Sequence, residues 1–384
     1  MHFTLSEEHQ MIEKAAKDFA VNECLPGVID RDEHQRFPKE QIMQLADLGF
    51  MGMMVSPEYG GSGMDTVSYV LAIDQISRVD ASVSVCMSVN NSLVCYGLES
   101  FGTEAQKQQY LTPLAQGKKD GELYIGAFLL SEPEAGSDAT SQRTTAEDMG
   151  DYYLLNGTKN WITNGSSASV YLVIAQTDVS KGSKGINCLI VEKNWPGVTV
   201  AAKENKLGIR GSDTHTIMFT DVKVPKENRI GENGFGFKFA MKTLAGGRIG
   251  IASQALGIAT GAYELALKYA KTRKAFGKEI AQHQAIQFKL ADMATKIEAA
   301  RLLCLKAAWE KDNGLDYTLS SSMAKVFASE TAMWVTTEAV QIHGGYGFVK
   351  EYHVERMMRD AKITQIYEGT SEIQRIVISR SILG

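Results

Sequence analysis

Residues 151–165 read DYYLLNGTKNWITNG, and they interrupt a chain that is otherwise helical in texture. Aromatic and β-branched residues crowd the stretch, and Asn156-Gly157 stands between two apolar runs, the strongest short-range signal for a two-residue hairpin turn. The same texture continues through SVYLVIAQTD (169–178), GINCLIVEK (185–193), GVTVAA (197–202) and HTIMFTDVKV (215–224), which predicts strands between about Leu123 and Ile230.

On either side the periodicity is helical. Met11, Ala15 and Phe19 recur at i, i+4 and i+8 in a segment that starts near Ser6 and stops at Pro26. FPKEQIMQLADLGF (37–50) predicts a second helix, with Pro38 near its start and Gly49 past its end. Beyond Phe235, AIQFKLADMATKIEAARLLCLKAAWEK (285–311) sets Ile286, Leu290, Met293, Ile297 and Ala300 on one stripe. Loops near Asn313 and at 343–348 divide this last third into four expected helices. Helices, then strands, then helices give an α+β fold with segregated layers. The expected divisions are an N-terminal helical domain over 1–120, a central β-domain over 121–232 and a C-terminal four-helix bundle over 233–384.

Composition narrows the function. With 384 residues, 44% of them hydrophobic, the chain can bury a large core, and a net charge of −5 gives no basic surplus for a nucleic-acid backbone. No uncharged apolar run reaches the roughly 18 residues a membrane span needs, and MHFTLSEEHQ has no signal-peptide core. The expected location is the cytoplasm, or an organelle after loss of a leader. Cys24, Cys86, Cys95, Cys188 and Cys304 are scattered without a C-x-x-C pair and read as reduced core thiols. Neither GENGFGF (231–237) nor HGGYGF (343–348) has the G-x-G-x-x-G spacing of a nicotinamide site, and PEYGGSG (57–63) has Met64 where a nucleophile elbow needs glycine. No close histidine pair supports zinc, which leaves metal-free chemistry or an organic cofactor.

Two stretches carry chemistry. LLSEPEAGSDAT (129–140) collects Ser131, Ser137, Asp138 and two glutamates after an apolar run, a composition that is also common in surface turns. In KNWITNG (159–165), Trp161 and Thr163 lie two apart and share one face of a strand; the pair suits a flat heteroaromatic ligand, although a tryptophan packed in a core is the commoner case.

Together and in order with LAGGRIGIASQALGIA (244–259), RKAFGKEIAQHQ (273–284), QIHGGYGF (341–348) and DAKITQIYEGTSEIQR (360–375), these stretches closely resemble the acyl-CoA dehydrogenase family, above all its short-chain, butyryl-CoA members. The resemblance spans nearly the whole chain. It implies FAD, a homotetramer built as a dimer of dimers, an acyl-CoA substrate and electron-transferring flavoprotein as acceptor. By the same resemblance Phe128, Leu129, Leu130, Ser131, Trp161, Ile162 and Thr163 line the flavin, with Thr370 and Glu372 also on the cofactor. Arg273, Phe276, Gln284, Gln341, Ile342, His343, Gly344 and Gly345 match segments that hold the adenosine and pyrophosphate across a subunit interface. Ser137, Ala245, Arg248 and Gly369 match substrate positions, with Ala245 standing where many relatives have Asp and Ala275 where some have a hydroxyl.

Glu368 in YEGT matches the catalytic base. The implied reaction removes an α-proton from the thioester while the β-hydrogen leaves as hydride, yielding trans-2-enoyl-CoA. Ile366 and Tyr367 are expected to raise the carboxylate pKa by excluding water. A following helix, with Ser371 and Gln374 spaced as a capping box, favours the anion by roughly 0.3 to 1 kcal/mol. Some family branches carry the base beside the arginine of GGR; here that position is Gly247, and TLAGGRIGI (243–251) holds no carboxylate. The same site run backwards is an enoyl-CoA reductase, and exposed to oxygen an acyl-CoA oxidase. A non-enzymatic DNA-associated branch also exists, but it needs a basic face that Lys+Arg 40 against Asp+Glu 45 does not supply.

Overall fold

The computed structural model describes residues 4–384. A helical N-terminal block, a central β-sheet and a C-terminal helical block follow one another along the chain. In the first block the helices Glu7–Phe19, Thr66–Ser77 and Ala81–Ser88 start on side-chain caps, which satisfy amide groups that have no partner within a helix. Ser6 accepts from His9 N (3.1 Å), Asp65 from Ser68 N (2.7 Å) and Asp80 from Ser82 N (2.9 Å). Helix Thr66–Ser77 is buried along nearly its whole length, so it is a core element and not a surface amphipath. The buried polar pair Asn90 and Asn91 staples this block together. Asn90 donates to the carbonyls of Met51 (2.8 Å) and Leu114 (2.9 Å) and accepts from Gly126 N (2.9 Å), while Asn91 accepts from Met53 N (2.8 Å).

The central sheet has eight strands in the order 229–230, 186–192, 170–176, 145–148, 152–163, 214–225, 198–203, with 126–129 pairing parallel to 170–176. Asn156-Gly157 is not the hairpin turn. It lies inside the long strand Tyr152–Thr163, at a register shift against Thr214–Pro225, and the reversal sits instead at Gly150, whose φ is +91°. Asn156 exchanges hydrogen bonds with Asp221 across the sheet (2.8 and 3.1 Å). A Cβ on Gly157 would lie 2.6 Å from Thr144 Cα, so the glycine answers a close strand approach.

Five helices occupy the last block: Gly236–Thr272, Gln284–Asp312, Thr318–His343, His353–Thr364 and the terminal Ser371–Leu383. Met293, Ile297 and Ala300 of the expected stripe are buried, and Ile286 and Leu290 flank them half-buried. The 236–272 helix is the spine. A Cβ on its Gly257 would stand 2.3 Å from the carbonyl of Asp74, which is how close it runs to the 66–77 helix. All five cysteines are buried and unpaired by disulfides.

Candidate active site

Between the 353–364 and 371–383 helices the chain turns through two successive left-handed residues, Glu368 at φ +52° and Gly369 at φ +91°. Glycine takes this conformation freely, whereas a glutamate held there costs of order 1–3 kcal/mol and persists only when its surroundings impose it. The surroundings are polar grips on the loop carbonyls. Gln374 Nε2 donates to the carbonyls of Glu368 (3.1 Å) and Gly369 (2.9 Å), and Lys325 Nζ donates to the Gly369 carbonyl (2.7 Å). The expected Ser371–Gln374 capping box does not form. Thr370 is the cap, accepting from Ile373 N (3.3 Å), because the loop shifts the helix start by one residue and takes the Gln374 side chain for its own carbonyls.

This turn drives the Glu368 carboxylate inward. The residue as a whole is half-buried, yet its Oε2 is sealed from solvent and has no hydrogen-bond partner. A Cβ placed on Gly247 would sit 2.1 Å from Oε2 and 2.7 Å from Leu93 Cδ2, so the space the carboxylate occupies exists because residue 247 has no side chain. Burial pushes the carboxyl up to about 7, against the opposing pull of Lys325 and Arg248. The expected shield is partly different: Ile366 is 47% exposed, and Leu93 and Gly247 cover the acid in its place. Tyr367 does turn inward, and its hydroxyl donates to Gln254 Oε1. Arg248 is buried, donates to Ser322 Oγ (3.3 Å) and keeps its Nε unpartnered.

A second cluster forms at the end of the sheet. Asn160 N donates to the Ser131 carbonyl (2.9 Å), joining LLSEPE to KNWITNG. The strand carries an extra residue between Lys159 and Ile162, and Trp161 in that bulge has φ +57°. The tryptophan is therefore thrown outward, 54% exposed and not packed in a core, with Thr163 half-buried on its side and Ile162 buried on the other. Leu129 is buried as well, so of the apolar flavin candidates Phe128, Leu130 and Trp161 are the ones open to a ligand. Phe128 stacks on Phe239 at 6.4 Å, and Gly247 lies eight residues further along that helix, about 12 Å at helical rise. Beneath the loop, buried Lys159 contacts Glu132 Oε1 (2.7 Å) and donates to the Leu130 carbonyl (3.0 Å).

A third group lies on an exposed flange. Phe276, at φ +54°, is 96% exposed, Arg273 stands 5.5 Å from the centre of the Tyr346 ring, and Gln284, Gln341, Gly344 and Gly345 are exposed. Ile342 and His343 face inward: His343 stacks on Tyr269 at 4.3 Å, leaving only their backbone to a ligand. Ser137 and Glu372 are exposed, Thr370 is half-buried, and Ala245 is buried in the 236–272 helix.

Three family models cover the chain: the acyl-CoA dehydrogenase N-terminal domain over residues 6–118, its middle domain over 127–222 and its C-terminal domain over 234–383. The short-chain specific acyl-CoA dehydrogenase of Clostridium acetobutylicum is 48% identical over 382 residues, covering 100% of both chains. The chain belongs to the acyl-CoA dehydrogenase family. Its members are oxidoreductases, and this protein is an enzyme of that class. The caffeyl-CoA reductase-Etf complex subunit CarC of Acetobacterium woodii is 49% identical, covering 98% of this chain and 99% of its own. The structure of butyryl-CoA dehydrogenase from Megasphaera elsdenii superposes with a TM-score of 0.97 at 49% identity, covering 100% of both chains. A structure from work on the electron transferring flavoprotein of Acidaminococcus fermentans does so with the same TM-score at 50% identity, again covering 100% of both chains.

Within this acyl-CoA dehydrogenase framework, Lys325 and Lys159 are structural determinants of the site whose roles no motif marked, and Gln374, expected in a capping box, instead grips the 368–369 loop. Lys325 sits in SSSMAKVFAS, an otherwise small and apolar helical run, and a charge in such a run was the available signal.

Proposed function

We propose that the protein is an FAD-dependent short-chain acyl-CoA dehydrogenase in which Glu368 removes the α-proton of the thioester, giving the trans-2-enoyl-CoA. The observation that carries this reading is the sealed, unpartnered Oε2 of Glu368, held on a left-handed residue against Gly247. A carboxylate raised to about 7 is matched to proton abstraction near neutral pH.

The residues present fit a flavin. An exposed tryptophan in a bulge beside a half-buried threonine offers a flat face and a hydroxyl, and exposed Arg273, Gly344 and Gly345 offer a cation and bare backbone for a diphosphate. Phe128, Leu130, Ser131, Trp161 and Thr163 would hold the ring. Arg273, Phe276, Gln284 and Gln341 would hold the adenosine half from a neighbouring subunit of a homotetramer. When bound, FAD supplies the acceptor for the β-hydrogen as hydride. Glu368 Oε2 takes the α-proton, the peptide N–H of Glu368 polarises the thioester carbonyl, and Gly369 lets that carbonyl approach the backbone. Ser137 and Arg248 contribute to substrate binding.

The names of relatives support an electron-transferring flavoprotein as partner. They also favour a second reading, the same site working as an enoyl-CoA reductase, because a caffeyl-CoA reductase subunit is 49% identical. Relatives are both bacterial and mitochondrial, and no helix among the described residues is long and apolar enough to cross a membrane; we assign the protein to a cytoplasm or organelle matrix. The test is anaerobic titration of the yellow enzyme with butyryl-CoA. Bleaching in the wild type and none in Glu368→Gln, with flavin retained in both, is expected; a bleaching Glu368→Gln variant would refute the assignment. Reoxidation by electron-transferring flavoprotein should outrun reoxidation by oxygen.

A further inference from the structure

Lys325 is fully buried in the 318–343 helix, and among the described residues the one hydrogen bond of its Nζ goes to the Gly369 carbonyl, at 2.7 Å. A buried ammonium is expensive, and a methionine of similar length would fill the same space without that cost. A lysine nevertheless stands there, its amine bonded one residue from a strained glutamate whose Oε2 has no partner. We propose that Lys325 is a positioning residue for the dehydrogenation: its ammonium clamps the Gly369 carbonyl, holding Glu368 in its left-handed turn, and supplies the buried positive charge that keeps the acid as a carboxylate. This rests on Glu368 being the base.

The surrounding groups sharpen the role. Arg248 reaches the same acid from the 236–272 helix, but its guanidinium is tied to Ser322 Oγ, and it makes no hydrogen bond to the 368–369 loop. Glu372 on the terminal helix also acts on Lys325, and Tyr69 and Tyr367 are uncharged phenols whose own pKa values burial pushes further up. Gln374 grips both loop carbonyls yet carries no charge. Lys325 alone among these groups combines a bond to the loop with a positive charge, and burial holds it near the threshold of losing its proton, at about 7.

The test compares Lys325→Met, which removes donor and charge, with Lys325→Gln, which keeps a donor and removes the charge, and with Glu368→Gln. Each is purified as the flavin-bearing enzyme, and the rate of anaerobic flavin reduction by butyryl-CoA is followed from pH 6 to 9. Lys325→Met should lose about tenfold in reduction rate at pH 7, with the midpoint of the pH profile displaced upward by about one unit and roughly fivefold of that loss recovered at pH 9. Lys325→Gln should show the same displacement with a smaller loss, and it decides the matter if Lys325→Met fails to retain flavin. An unchanged midpoint in Lys325→Gln, whether its rate is normal or lowered equally at every pH, overturns the proposal. Bleaching by Glu368→Gln would instead overturn the base assignment on which it stands.

Discussion

Glu368 shows how a single backbone angle sets chemistry. At φ +52° its side chain leaves the loop toward Gly247, whose missing Cβ is the room it enters. Gly247→Ala should therefore displace the carboxylate while sparing the fold. We expect about a hundredfold loss in kcat/KM for butyryl-CoA with flavin content unchanged, since a misplacement near 1 Å costs on that order. The same acid sets a pH dependence. Only the deprotonated form accepts a proton, so with the carboxyl raised to about 7 the rate of flavin reduction should climb through neutrality, and a midpoint near 4.5 would contradict the burial argument. Stability runs the other way. A folded-state pKa raised from 4.5 to about 7 contributes stability that is full below 4.5 and is lost as the pH rises through 7. Thermal melts at pH 5 and pH 8 should accordingly show Glu368→Gln gaining on the wild type at the higher pH.

At the scale of elements, the strand Tyr152–Thr163 carries the clearest departure from expectation. Its Asn-Gly pair lies inside the strand where a turn was expected, opposite an extra residue in the partner strand Thr214–Pro225 that runs past it, and that length is invisible in fifteen residues of sequence. A second bulge then ejects Trp161. Since the ring is 54% exposed, Trp161→Ala should leave the melting temperature of the flavin-free protein within about 1 °C, as surface changes usually do, while lowering the flavin-to-protein ratio after dialysis. The shifted cap on the last helix follows the same logic. Spacing located the helix, but the choice between Thr370 and Ser371 depended on where Gln374 was needed.

Across the whole molecule, the 353–364 helix binds the three blocks together through charge. Buried Asp360 accepts from Arg356 Nη1 (2.9 Å) and from Ile209 N of the β-block, while Arg356 donates to the Val79 carbonyl (2.7 Å) and Arg359 to Asp32 (2.7 Å), both in the N-terminal block. Breaking a buried pair by removing one partner leaves the other charge uncompensated. Asp360→Ala should thus cost roughly 3–5 kcal/mol in denaturant unfolding, far more than its distance from Glu368 in function would imply. Calorimetry of that variant should show the loss in every block at once, because the pair spans them.

The order of helical and strand texture, the core stripe of the 284–312 helix and the identity of Glu368 were legible in the chain, because periodicity and short motifs are local properties. Gly247, Leu93 and Lys325 come from distant parts of the sequence, and their meaning is their proximity to one acid and its loop. Folding alone created that proximity, along with the burial that raises the acid and the register shifts that turn Trp161 outward. Sequence named the acid; packing raised its pKa, because a pKa is set by the neighbours a side chain acquires in three dimensions.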